Sequence, residues 1–177
     1  MNHDPENKIR IAGVVEESIV DGPGIRYVVF AQGCPHRCPG CHNPKTHSFD
    51  GGILIDIGDI LKAIKNNPLL DGITLSGGEP FEQAAAFARL AEKVRELELD
   101  VIVYTGYTYE ELIKHAPNRP SWESLLNAAD ILIDGPFIME QKSYMLKFRG
   151  SANQRIIDLK KTRQAVKSES EKLIGGE

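Results

Sequence analysis

Short apolar runs alternate with amphipathic stretches along most of this chain, and that alternation restricts the fold more than any other feature of the sequence. "IRYVVFA" (25–31), "GITLSGGEP" (72–80), "DVIVYTG" (100–106) and "DILIDGPF" (130–137) read as buried strands. Between them lie helical patterns. "DIGDILKAIKNN" puts Ile57, Ile60, Leu61 and Ile64 on one face behind an Asp56 N-cap, and Pro68 stops it. "PFEQAAAFARLAEKVREL" repeats Phe81, Ala84, Phe87, Leu90, Ala91, Val94 and Leu97 at 3.6-residue spacing behind Pro80. "TYEELIKH" and "SWESLLNAA" predict two shorter helices. Strands that are apolar throughout, each followed by an amphipathic helix, predict an α/β fold of β/α units around a parallel sheet. A closed barrel of eight units takes about 250 residues, so this chain has room for about five or six and leaves a gap in the wall: a partial, open β/α barrel.

Ahead of these units, "IRIAGVVEE" and "IRYVVFA" flank "DGPG" (21–24), which predicts strand, turn, strand. One domain is expected over 1–159. The charged stretch 160–177 is expected to be a tail, either a frayed helix or disordered. A net charge of −4 with no clustered Lys and Arg before the tail argues against direct nucleic-acid binding. The longest apolar runs fall far short of the roughly 18 residues of a membrane span, and the polar, acidic start lacks the pattern of a secretory signal. A cytoplasmic protein is expected.

All three cysteines stand in "GCPHRCPGCHNP" (33–44), spaced C-x3-C-x2-C, on a segment whose prolines and glycines demand a loop. In a reducing compartment, three clustered thiols suit a metal better than a disulfide. Structural zinc needs four protein ligands, which His36, His42 or His47 would have to complete. A four-iron cluster takes three cysteines and leaves one iron open to an outside ligand. In "SGGEP" (76–80), Gly77 and Gly78 allow a close backbone approach to a ligand, and Glu79 offers a carboxylate to a cationic amine. The plainer reading is a strand-to-helix turn with Glu79 in the first helical turn.

The cysteine spacing after an early strand, followed by "SGGEP", resembles the radical S-adenosylmethionine (SAM) superfamily. Six stretches in order, "DGPGIR", "CPHRCPGCHNP", "SGGEP", "VYTGY" (103–107), "DGPF" (134–137) and "FRGSANQR" (148–155), are similar to the activating proteins of glycyl radical enzymes. They are closest to those that serve anaerobic ribonucleoside-triphosphate reductase. Gly40 stands where many superfamily members carry an aromatic residue, which fits the narrower group. The resemblance implies a radical SAM partial barrel and a [4Fe-4S] cluster held by Cys34, Cys38 and Cys41, the catalytic and metal-binding set. It implies SAM bound by Gly40, Cys41, His42, Gly77, Gly78 and Glu79. The implied reaction is reductive cleavage of SAM to a 5'-deoxyadenosyl radical that makes a glycyl radical on the large anaerobic reductase subunit, with electrons from a low-potential donor such as flavodoxin. Two alternatives stand beside it: a radical SAM enzyme acting on another glycyl radical enzyme or a small molecule, and a non-enzymatic zinc or iron-sulfur module. Asp21, Tyr104, Tyr107, Asp134, Arg149 and Asn153 carry weaker claims, each with an ordinary turn, cap or barrel-edge reading beside the functional one.

Overall fold

Strands β1 (Lys8–Ser18) and β2 (Arg26–Ala31) pair antiparallel across the glycine-rich turn, as the pattern predicts. The structure, a computed structural model, describes residues 7–165. Residues 159–165 are helical, and the remainder of the expected tail, from 166 on, lies outside the described residues. The other elements are β3 (Ile53–Asp56), α1 (Ile57–Lys65), β4 (Gly72–Gly77), α2 (Ala84–Arg95), β5 (Asp100–Tyr104), α3 (Tyr109–His115), α4 (Pro120–Ala128), β6 (Ile131–Asp134) and β7 (Arg155–Asp158). One open, seven-stranded sheet runs β3-β1-β2-β4-β5-β6-β7.

The sheet is mixed, which corrects the expectation of a parallel one. Strands β2, β4, β5 and β6 are parallel, while β1 and β7 run against them on either side, and β3 pairs antiparallel to β1 at the outer edge. Three crossovers therefore link four parallel strands, fewer than the five or six units expected. Some of the chain's length goes instead into the hairpin, into β3 and into a long connection after β6 that returns as an antiparallel edge. The helix expected over 80–97 begins with a 3₁₀ turn, Pro80–Gln83, and becomes α-helical at Ala84. Asp56 caps α1 as expected, its side chain accepting from Gly58 N at 2.8 Å.

The two faces of the sheet differ. Tyr27, Val29, Ala31, Ile73, Leu75, Val101, Val103 and Leu132 pack beneath Ile60, Phe87, Leu90, Val94, Leu125 and their neighbours on the helices, forming the main core. Alternate residues point the other way. Val28, Ile102 and Ile133 are buried outside that core, and the same face carries Arg26, Phe30, Thr74, Ser76 and Tyr104. Among the described residues, no helix is long and apolar enough to cross a membrane.

Candidate functional site

The cysteine loop is fixed to the sheet at both ends before any cysteine is placed. Gln32, buried just after β2, donates through Nε2 to the carbonyls of Lys45 and Ser48 at 3.2 and 2.5 Å. Gln83 Nε2 donates to the carbonyls of Gln32 and Arg10 at 2.9 and 2.8 Å. Gly33 N and Cys34 N donate to the carbonyls of Thr46 and His47, so the outgoing and returning limbs pair. Within the loop, Cys41 N donates to Cys38 O at 3.1 Å, and Asn43 N donates to Cys41 Sγ at 3.4 Å.

All three thiols are free, partly exposed and on the wall of one cavity of about 390 Å³. Burial pushes the Cys34 thiol up to about 11, opposed by the N–H groups of His36 and Arg37 on its sulfur and reinforced by the Glu79 and Cys38 charges. The same cavity is walled by Ser76, Gly77 and Gly78 at the end of β4, Tyr104, Thr105 and Gly106 at the end of β5, and Gly135 and Phe137 after β6. Asp21, His42, Gly150 and Gln154 complete much of the rim. Every parallel strand thus meets the cavity at its carboxyl end, where open α/β sheets bind ligands.

Gly77 and Gly78 line this cavity, and the structure supplies a packing reason for both. Gly77 has φ +92°, and a Cβ there would stand 2.6 Å from Phe30 Cα; one on Gly78 would stand 2.5 Å from Gly33 O. What comes close to them is the backbone of β2 and the start of the cysteine loop, held by Gly78 N to Ala31 O and Glu79 N to Gly33 O, each 2.8 Å. Gly40, at φ +70°, lies beneath the Met139 sulfur and the Phe137 ring, which fill the space a side chain would need. Gly40 itself is not on the cavity wall; its neighbours Cys38, Cys41 and His42 are.

Glu79 is fully buried and does not line the cavity. Its Oε1 accepts from Phe81 N at 3.0 Å and its Oε2 from Gly106 N and His36 Nε2 at 2.9 Å each. The Thr105 hydroxyl lies 3.0 Å from both oxygens. Four donors use the acceptor positions of one carboxylate. His36 is therefore committed to Glu79, and the His42 ring rests 4.9 Å from that of Phe137. Among the described residues, no three His, Cys, Asp or Glu side chains converge tightly enough to hold a single metal ion. Three thiols spread around a cavity suit a cluster whose separate irons each take one sulfur.

The weaker candidates divide. Asp21 and Tyr104 reach the cavity, Asp21 also accepting from Ser18 Oγ and Tyr104 donating to Phe148 O at 2.8 Å. Burial, with Asp21 nearby, holds the Tyr104 hydroxyl well above the usual tyrosine range. Tyr107 turns away and donates to Glu82 at 2.8 Å. Asp134 is buried, accepts from Tyr109 N at 2.7 Å and pairs with Arg155. Arg149 donates to Gln154 O and Asn153 to Pro136 O, so both brace the loop before β7. Ser76, Thr105, Phe137 and Gln154 also line the cavity, and nothing in their residue type marks them as site residues. Their only signal was position at the end of a predicted strand or within a matched stretch.

An open α/β sheet with one three-cysteine loop at its carboxyl edge defines a class, the single-cluster iron-sulfur domain. A family model described as "4Fe-4S single cluster domain" matches residues 20–157. The chain is 37% identical over 148 residues to the anaerobic ribonucleoside-triphosphate reductase-activating protein of Haemophilus influenzae, covering 78% of this chain and 90% of that one. It is 38% identical over 152 residues to the protein of that name from Vibrio cholerae, with the same coverage. Against its namesake from Escherichia coli K12, identity is 32% over 156 residues, covering 80% and 94%. The chain belongs to the family of anaerobic ribonucleoside-triphosphate reductase-activating proteins.

Proposed function

We propose that this chain is a SAM-dependent activase that generates a glycyl radical on the large subunit of an anaerobic ribonucleotide reductase. The observation that carries the reading is a shared cavity. Three thiols from one loop and the Ser76–Gly78 backbone wall the same space, about 390 Å³, at the carboxyl ends of the parallel strands. That is room for a small ligand beside a cluster, on a sheet left open. The family supports the reading, since its members are named for activating that reductase.

In this reading Cys34, Cys38 and Cys41 hold a [4Fe-4S] cluster and supply no fourth ligand. A reduced cluster held there would supply the electron for reductive cleavage of SAM to methionine and a 5'-deoxyadenosyl radical, the species that would take a hydrogen from the reductase glycine. The backbone of Gly77 and Gly78 borders the polar end of SAM, and that of Cys41 and His42, which unlike Gly40 reach the cavity, borders the adenine. Glu79, whose acceptors are filled, serves this arrangement through the groups it binds. Phe30, Tyr104 and Phe137 give the cavity apolar walls that limit water around a reactive species. The unclosed sheet, a partial barrel of the radical SAM kind, leaves a side by which a glycine-bearing loop enters, and glycine suits that loop because it has no side chain to obstruct approach. We place the reaction in the cytoplasm, with a low-potential donor such as flavodoxin as electron source.

The test is electron paramagnetic resonance of the purified reductase after anaerobic incubation with this protein, SAM and a reductant. A glycyl doublet is expected. SAM cleavage without the doublet would point to a different substrate, and no cleavage with one bound zinc would point to a binding module.

A further inference from the structure

We propose that His36, clamped by Glu79 against Gly106, is the positioning residue that sets the first turn of the cysteine loop and so holds the Cys34 sulfur in place for a cluster. The inference rests on the assignment of the three cysteines to that cluster.

Three observations converge on His36. It lies between Cys34 and Cys38, on the cavity wall, and its Nε2 donates to Glu79 Oε2 at 2.9 Å. Glu79 cannot move to follow it, because the same carboxylate is held by Phe81 N, the Thr105 hydroxyl and Gly106 N, two of which belong to the end of β5. The His36 ring is confined as well. It meets Tyr107 edge-on with centroids 4.4 Å apart, and it covers Gly106 so closely that a Cβ there would collide with three ring atoms.

The backbone turns sharply at the next residue, Arg37, whose φ of +47° is uncommon for a residue with a side chain. Such a conformation persists only where the surroundings impose it. That turn directs the N–H groups of His36 and Arg37 at the Cys34 sulfur. The His36 ring is the part of the turn bonded to the strand ends through a buried group. On either side of it, Pro35 and Arg37 are exposed. The link therefore runs from β5, through Glu79 and the imidazole, to the donors on one cysteine.

The experiment compares His36→Phe, His36→Gln and Gly106→Ala with the parent protein. His36→Phe keeps a ring but loses the donor. His36→Gln keeps an N–H that can reach Glu79. Gly106→Ala leaves both partners intact and pushes the ring off its seat. Each is reconstituted anaerobically and assayed for iron and sulfide, for the rate of iron loss to a ferrous chelator and for the cluster's midpoint potential. The melting temperature of each apoprotein reports folding.

The parent is expected to take up about four irons. His36→Phe and Gly106→Ala are expected to melt within a few degrees of it, yet to lose iron about tenfold faster or more. Their potentials should be more negative, because N–H donors to cluster sulfur favour the reduced form. His36→Gln should recover most of both properties. If the parent loads normally and His36→Phe and Gly106→Ala match it in iron release and potential, the inference is overturned and the cluster assignment stands. If His36→Gln is as poor as His36→Phe, the hydrogen bond to Glu79 is not the operative link, and the inference also fails. If the parent takes up no iron, the cluster assignment falls and takes the inference with it.

Discussion

At each end of the parallel strands a charged side chain with no exposed surface is enclosed, Arg26 at one and Glu79 at the other, and the two are satisfied in opposite ways. At the amino ends, Arg26 is bonded to the Asp100 carboxylate, to the carbonyls of Ile73 and Asp100, and to the Thr74 hydroxyl. These partners lie on the two strands β4 and β5. At the carboxyl ends, Glu79 has no Lys or Arg partner among the described residues. Its donors are two backbone N–H groups, one hydroxyl and one imidazole, drawn from the cysteine loop, the 3₁₀ turn after β4 and the segment after β5. The first arrangement fastens strand to strand. The second ties three connections into one rim around a cavity, so it determines where the thiols stand more than whether the sheet forms.

The largest effect is expected at the rim. Replacing Cys38 with Ala should abolish iron loading and reduce glycyl radical formation by at least about a thousandfold, since a cluster missing one of three thiolates is not retained. The apoprotein should still melt within a few degrees of the parent, which calorimetry checks. At the other end the expectation reverses. Arg26→Met should destabilise the apoprotein by about 2–4 kcal/mol in urea unfolding, because it removes charged hydrogen bonds from a fully buried site and leaves buried acceptors unpaired. Asp100, with its side chain 38% exposed, regains water on losing its partner, which keeps the figure below that for a wholly buried pair. Iron bound per folded molecule should not change.

A smaller effect is expected at Cys34. With its thiol pushed up to about 11 from 9.0, Cys34 carries roughly a hundredfold less thiolate at pH 8 than it would at the ordinary value. In the apoprotein, iodoacetamide should therefore label Cys34 slowly at pH 8 and much faster as pH rises toward 11, as read by peptide mass spectrometry. Fast labelling of Cys34 at pH 8 would mean that the loop does not hold it in its buried position without metal. The least effect is expected at Glu110, which pairs with Arg155 from an exposed position. Glu110→Gln should cost less than about 0.5 kcal/mol, because Arg155 keeps the buried Asp134 carboxylate and surface pairs contribute little.

The sequence disclosed what local pattern controls. Helices α1 to α4 and strands β1, β2, β4, β5 and β6 follow from periodicity, turns and caps. Strand β3 escaped notice because its four residues sit at the sheet's edge, with Ile53 and Leu54 exposed and no buried face to impose a period. Strand direction was misjudged for a related reason. An apolar run looks the same whichever way it pairs, and β7 turns antiparallel through contacts with β6 that are remote in sequence. At the site, the cysteines and the Gly77–Gly78 pair were legible because their spacing is local. The saturation of Glu79 was not, since its donors Thr105 and Gly106 lie 26 and 27 residues further on and His36 lies 43 residues back.

The proposed activity requires a cluster held by three thiolates with one iron left for SAM. It is tested most directly by electron paramagnetic resonance of the anaerobically reconstituted, reduced protein before and after SAM is added, with iron and zinc measured on the same sample. About four irons per chain and a spectrum that changes on adding SAM are predicted. A spectrum indifferent to SAM, or a colourless protein holding one zinc, would contradict it.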